Sequence, residues 1–197
     1  MRVISGAVLG LFLLTNGVSA GEKTMSTESA EIRNLFDFDD ETEINQWFAV
    51  NDNVMGGLSR GGAQLVEQGC LLFSGSISLE NNGGFASIRS APIDFSLAGY
   101  KGVKIRVKGD GRSYQFRLRS DRESDRVAFK QEFQTVADTW VELELPFVSF
   151  QPTYRGRVLS NVEPLKAAEI TQIGFLIADK KPGSFALIVD EISAYGR

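Results

Sequence analysis

Histidine is absent from the 197 residues, and cysteine occurs once, as Cys70. Without histidine there is no Ser-His-Asp or Cys-His catalysis, and the commonest zinc ligand and physiological general base are missing. A single cysteine closes no internal disulfide, and its apolar run Cys70-Leu71-Leu72-Phe73 reads as a buried, inert thiol. Positive charge is also in short supply. Lys and Arg number 21 against 25 acids, a net charge of −4, and that balance argues against a nucleic-acid binder. No cofactor motif and no ordered metal-ligand spacing is found, so no cofactor and no metal are expected. No stretch alternates at helical period over any length; only Val162 to Ala168 reads as a short helix.

What is present begins with a targeting pattern. Met1-Arg2 precedes a predominantly apolar stretch to Gly17, and Val18-Ser19-Ala20 supplies small residues for cleavage after Ala20. The stretch is short for a membrane span of about 20 residues. Residues 1–20 therefore read as a signal peptide, 21–32 as a polar flexible leader, and 33–197 as a single domain. The location this implies is exported and periplasmic.

From Asn34 onward the chain consists of short apolar runs punctuated by Gly, Asp, Asn and Pro. Val103 to Lys108, Tyr114 to Arg119 and Val141 to Leu145 alternate with period two, the pattern of half-buried strands. Ile173–Ile177 and Phe185–Val189 are continuously apolar, as for central strands. Many short strands predict an all-β sandwich or barrel. The Gly109 to Ser113 junction predicts a hairpin. That pairing places Lys104, Arg106 and Lys108 on one outer face with Gln115, Arg117 and Arg119, either balanced by Glu132, Glu142 and Glu144 or docking an acidic partner. Trp47 and Trp140 are expected in the core.

Three glycine-rich clusters mark corners built from main chain: Asn51-Asp52-Asn53-Val54-Met55-Gly56-Gly57, Gly83-Gly84-Phe85, and Gly109-Asp110-Gly111-Arg112. The last is no dinucleotide fingerprint, because Tyr114 holds the third glycine position. It reads mainly as a turn, with Arg112 as a candidate arm toward a carboxylate or sugar hydroxyl. Asn51 and Asp52 suit sugar hydroxyls or a hard cation, but they and Asp37, Asp39, Asp40 and Glu41 lack an EF-hand spacing, and turn hydrogen bonding explains them more cheaply. Glu142 and Glu144 lie about 6.5 Å apart on one strand face. Their environments are too alike to split acid from base in a glycosidase. The connection Phe147 to Arg157 carries Arg155 and Arg157 and reads either as a groove or as a cap on the sandwich.

Trp47 with the Asn51–Gly57 cluster, Gly83-Gly84-Phe85, Gly109-Asp110-Gly111-Arg112 with Tyr114 and Phe116, Trp140, Pro146-Phe147, Arg155-Gly156-Arg157 and Asp190-Glu191-Ile192 occur in that order. In this the chain resembles the complex I intermediate-associated protein 30 family over nearly all of its length after residue 20. The resemblance implies a galactose-binding-like jelly roll of two antiparallel sheets. It also implies a non-catalytic assembly chaperone for the membrane arm of respiratory complex I, hence a protein partner among membrane-complex subunits and no enzyme. Related jelly rolls include carbohydrate-binding modules, so recognition of envelope glycans is the alternative. The candidate ligand- or partner-binding residues are Asn51, Asp52, Met55, Gly56, Gly57, Asn82, Gly83, Gly84, Asp110, Arg112, Arg117, Arg119, Arg155 and Arg157, on a monomer.

Overall fold

A computed structural model describes residues 31–66, 69–120 and 127–196. The expected signal peptide and nearly all of the leader lie outside those residues. Among the described residues thirteen strands form two sheets. In chain order they are β1 (Ile32–Phe36), β2 (Trp47–Ala49), β3 (Arg60–Val66), β4 (Cys70–Ile77), β5 (Ala86–Ser90), β6 (Gly102–Gly109) and β7 (Ser113–Arg119). β8 (Ala128–Gln134), β9 (Trp140–Pro146), β10 (Gln151–Tyr154), β11 (Arg157–Val158), β12 (Gln172–Ile177) and β13 (Gly183–Tyr195) complete the set. One sheet has the order β3-β4-β13-β6-β9, with β1 also paired to β13; the other runs β11-β10-β8-β7-β12-β5-β2. Every pairing between these strands is antiparallel, as expected for a jelly-roll sandwich.

Period-two patterning decides which side chains enter the core. Val103, Ile105 and Val107 of β6 face inward, as do Tyr114, Phe116 and Leu118 of β7. A continuous relay of rings joins the sheets. Phe36 meets Trp47 at 5.2 Å, Trp47 meets Phe175 at 6.2 Å and Phe175 meets Phe133 at 6.5 Å. From Phe133 the relay passes to Tyr114 at 6.1 Å, to Phe73 at 6.5 Å and to Phe185 at 4.8 Å. These offset and edge-on contacts each add about 0.5–1.5 kcal/mol beyond burial. This aromatic seam runs through one core cluster that also holds Ile105, Val107, Leu118, Ile173, Leu187 and Val189 from both sheets. Cys70 is buried, and its thiol donates to Asp190 Oδ1 at 3.4 Å.

The hairpin expected between β6 and β7 is not formed. β6 pairs with β13 and β9, whereas β7 pairs with β12 and β8 in the opposite sheet. Residues 110–112 form an arch because their polar groups, besides the local Arg112 N–Asp110 bond, are tied to other strands of both sheets. Asp110 Oδ2 accepts from Ala186 N of β13 at 2.9 Å, while Thr135, which follows β8, accepts from Gly111 N at 3.1 Å and donates to Arg112 O at 2.8 Å. Two strands with one apolar face each satisfy the same pattern whether they lie side by side or face to face.

Consequently the two cationic rows point away from each other on opposite outer faces. Lys104 pairs with Glu142 at 2.6 Å, and Arg106 pairs with Asp190 at the β13 bulge. Trp140 is not in the core: it stands on the outer edge under Arg106 at 4.5 Å and Lys108 at 5.5 Å. The helix expected at Val162 to Ala168 is replaced by irregular chain ending in the 3-10 turn Ala167–Glu169. Strand β1 begins at Ile32, one residue before the expected start of the sandwich.

Candidate functional site

The strand registers carry all three glycine-rich corners to one rim of the sandwich. Arg60 of β3 pairs with Ser76 of β4, Ile77 with Gly183 of β13, and Leu187 with Gly109 at the end of β6. On the other sheet Ala86 starts β5 opposite Ile177 at the end of β12, and Ser113 starts β7. The loops 50–59, 78–85, 110–112, 135–139 and 178–182 therefore share that end.

Asp52 is the centre of the first two corners. It is fully buried, and among the described residues its carboxylate is held by backbone amides and not by an ion pair. Oδ1 accepts from Ser59 N at 2.9 Å; Oδ2 accepts from Gly84 N at 2.7 Å and Phe85 N at 3.2 Å. Burial pushes its pKa up, but the bonds from Ser59, Gly84 and Phe85 outweigh this and hold it below the ordinary carboxylate value. The flanking glycines follow from this packing. A Cβ at Gly57 would lie 2.3 Å from Asp52 Cγ, and one at Gly83 would lie 2.6 Å from Oδ2. Asn51 adds a second tie, donating to Gly61 O at 2.9 Å and accepting from Ser87 N at 3.3 Å. Asn51 and Asp52 are thus spent on the chain's own backbone and not offered to a sugar or an ion. Likewise Asp37 accepts from Asn34 Nδ2 at 2.6 Å and Asp40 Oδ1 accepts from Thr42 N at 2.8 Å, the local turn bonding expected of that acidic stretch.

The knot holds an apolar surface outward. The 3-10 turn Asp52–Met55 ends at Gly56, whose φ of 89° is left-handed, and Asn81 Nδ2 donates to Gly56 O at 3.3 Å across the two loops. On these clamped loops Val54 is 69% exposed, Met55 55%, Leu58 52% and Leu79 45%. Asn82, with φ of 58°, belongs to the same corner. Single exposed apolar residues are ordinary; here four stand on two mutually bonded loops.

The third corner is a clasp. Arg112 Nε and Nη2 reach Asp179 Oδ2 and Oδ1 at 2.9 and 2.6 Å, and the same guanidinium donates to the carbonyls of Lys181, Gly183 and Ser184. Asp110 accepts from Tyr114 Oη at 3.0 Å and from Arg112 N at 3.1 Å. Arg112 is therefore not an arm toward a ligand: Asp179 and three carbonyls occupy its donors. Burial raises the Asp179 pKa, but the bonds from Arg112 and the Lys181 amide bring it below the ordinary value.

The remaining expected residues lie elsewhere. Arg117 and Arg119 project from the outer face of the seven-stranded sheet. Arg155 and Arg157 flank the tight turn between β10 and β11, beyond Tyr154, whose ring Arg155 covers at 5.4 Å. Because β10 runs antiparallel to β8, that turn is at the end of the sandwich opposite the rim. Buried Phe147 and Phe150 fold this connection back as a cap and not as a groove. Leu58, Leu79, Arg89 and Asp179 were not singled out from sequence; only strand register reveals their neighbours.

The sequence model of the complex I intermediate-associated protein 30 family matches residues 36–189. The chain belongs to that family. The mitochondrial complex I intermediate-associated protein 30 of Mus musculus is 25% identical over 185 residues, covering 84% of this chain and 56% of its own length. Its Drosophila melanogaster counterpart, also mitochondrial, is 25% identical over 181 residues, covering 80% and 61%. The chain thus spans between half and two thirds of these relatives. Their mitochondrial designation overturns the exported, periplasmic location read from the first 20 residues: an apolar N-terminal run before small residues satisfies an export pattern without proving one. Among solved structures, a family 11 carbohydrate-binding module of a Clostridium thermocellum cellulase superposes with a TM-score of 0.68 at 18% identity, over 86% of this chain and 96% of the module. That likeness establishes the jelly-roll architecture.

Proposed function

We propose that the chain is a non-catalytic binding protein that holds a protein partner during assembly of a membrane complex, associating with complex I intermediates as the names of its relatives state for them. The observation that carries this reading is the outward apolar patch of Val54, Met55, Leu58 and Leu79, held on loops that the buried Asp52 clamps together. Ordering these loops beforehand lowers the entropy cost of docking. The family motif and the patch coincide: Asn51, Asp52, Gly56, Gly57, Asn82, Gly83 and Gly84 build the platform, and Met55 is on its surface. Asp110 and Arg112 brace the adjoining rim.

The glycan alternative is less well supported. Sugar-binding jelly rolls are neighbours in fold alone, and the exposed ring faces here are covered by cations. Arg89 lies over Phe48 at 5.0 Å, Arg155 over Tyr154 and Arg106 over Trp140. Co-isolation of complex I subunits with the tagged chain, lost in Leu58→Asp but kept in Val148→Asp at the opposite end, tests the reading. Equal capture by both variants refutes the patch.

A further inference from the structure

The rim is crossed by arches whose feet are paired in both sheets. The 78–85 arch leaves β4 at Ile77 and enters β5 at Ala86, and the 178–182 arch links Ile177 of β12 to Gly183 of β13. Ile77 pairs with Gly183 in one sheet, and Ala86 pairs with Ile177 in the other. The two arches therefore run side by side, one strand spacing of about 4.8 Å apart at each foot. The 50–59 arch adjoins the first on its far side, since Val50 N donates to Ser87 O and Arg60 pairs with Ser76. Two strand spacings, about 10 Å, thus separate the feet of the outer two arches.

The 50–59 and 78–85 arches carry the apolar patch, whereas the 178–182 arch carries positive charge. Lys180 and Lys181 are exposed, and neither makes an ion pair among the described residues. The acid of their own loop, Asp179, is taken by Arg112 through both carboxylate oxygens. The same guanidinium binds the carbonyls of Lys181, Gly183 and Ser184, so it withdraws the counter-charge and pins the backbone together. Lys180 at φ 60°, and Pro182, which restricts Lys181 to extended backbone, stiffen the turn. Arg60, exposed at the foot of the 50–59 arch, adds a third cation. Against these three the arches expose one acid, Glu80. In a chain of net charge −4, the surroundings of the patch are locally cationic.

We propose that the 178–182 arch is the cationic half of the rim's docking surface. It receives a carboxylate from an amphipathic segment of a protein partner, whose apolar side chains cover Val54, Met55, Leu58 and Leu79. The inference rests on the reading of that patch as a partner surface and adds the chemistry of what docks there. Two observations favour an acidic-apolar protein segment over an anionic bilayer. The net charge of −4 opposes approach to an anionic surface at long range. None of the four patch residues is Trp or Tyr, the rings that anchor at headgroup level, whereas Met and aliphatic side chains pack well on another protein.

The test titrates two blocked helical peptides with the same leucine stripe into the full chain, one ending in Glu-Glu and the other in Lys-Lys. Backbone amides of residues 54–58, 79 and 180–181 are followed by nitrogen-correlated NMR, and vesicles of phosphatidylcholine with phosphatidylserine are assayed in parallel by co-sedimentation. The Glu-Glu peptide is expected to shift both sets of amides and to bind about tenfold more tightly at low salt, a preference that shrinks as salt rises. Lys180→Gln combined with Lys181→Gln is expected to abolish the preference at an unchanged melting temperature, because both side chains are exposed. Leu58→Asp is expected to lose both peptides. Equal binding of the two peptides to the wild type, or a preference that survives in the double variant, overturns the inference. So does failure of the Glu-Glu peptide to bind, and vesicle binding in its place assigns the rim to a lipid surface. Equal binding that Leu58→Asp removes leaves the apolar patch standing without its cationic half, so the two failures are distinguishable.

Discussion

Replacing Asp52 by Asn tests the knot that holds the rim. The side chain is fully buried and accepts three backbone amides, from Ser59, Gly84 and Phe85. Asn keeps the shape but exchanges one acceptor oxygen for an NH2 group. Even in its better orientation, with the remaining oxygen toward Gly84 and Phe85, the Ser59 amide loses a charge-assisted bond and faces a second donor. A lost bond to a charged group and an unsatisfied buried donor together cost on the order of 3 kcal/mol. For a domain of this size that lowers Tm by roughly 6–12 °C. The pH dependence has a definite sign. The folded-state pKa of Asp52 is depressed, so its contribution is fully present above the unfolded value of about 3.9 and is lost as pH falls through the lower folded value. The gap between wild type and Asp52→Asn is therefore constant near neutrality and narrows below about pH 4. Thermal melts across pH 2.5–8 (spanning that window) read both effects. Equal Tm values for the two proteins at neutral pH would refute the reasoning.

Three further outcomes are expected. Arg112→Met strands a nearly buried Asp179 and should cost about 3–5 kcal/mol in denaturant unfolding, whereas a ligand-binding role alone would leave stability unchanged. Gly57→Val should unfold the rim and not merely alter binding, because its Cβ would sit 2.3 Å from Asp52 Cγ; amide hydrogen exchange across residues 51–59 and 83–85 checks this. Cys70 is 4% exposed, and burial pushes its thiol pKa up, so iodoacetamide should label it only under denaturing conditions.

The sequence made the layers legible and left the pairings obscure. Alternation in Val103 to Lys108 and Tyr114 to Arg119 correctly marked strands, since each needs one buried face. It did not tell a hairpin from an arch, because that depends on where Asp110 finds its donors, and Ala186 is 76 positions away. The same distance problem hid Asp179, which is 67 positions from Arg112. The glycine clusters were readable as corners because close backbone approach tolerates no Cβ. That Asp52 is what they approach was not. The cationic rows were misjudged for one reason: face assignment follows from pairing, and the assumed pairing was wrong. Arg89 and Arg117 flank Gly174 only once β12 is seated between β5 and β7.

The most direct measurement is co-migration of the tagged chain with complex I assembly intermediates on native gels, comparing wild type, Leu58→Asp, Met55→Asp and Val148→Asp at matched Tm. The account predicts loss of co-migration in the first two variants and retention in Val148→Asp. Retention in all three, with the fold intact, would contradict it.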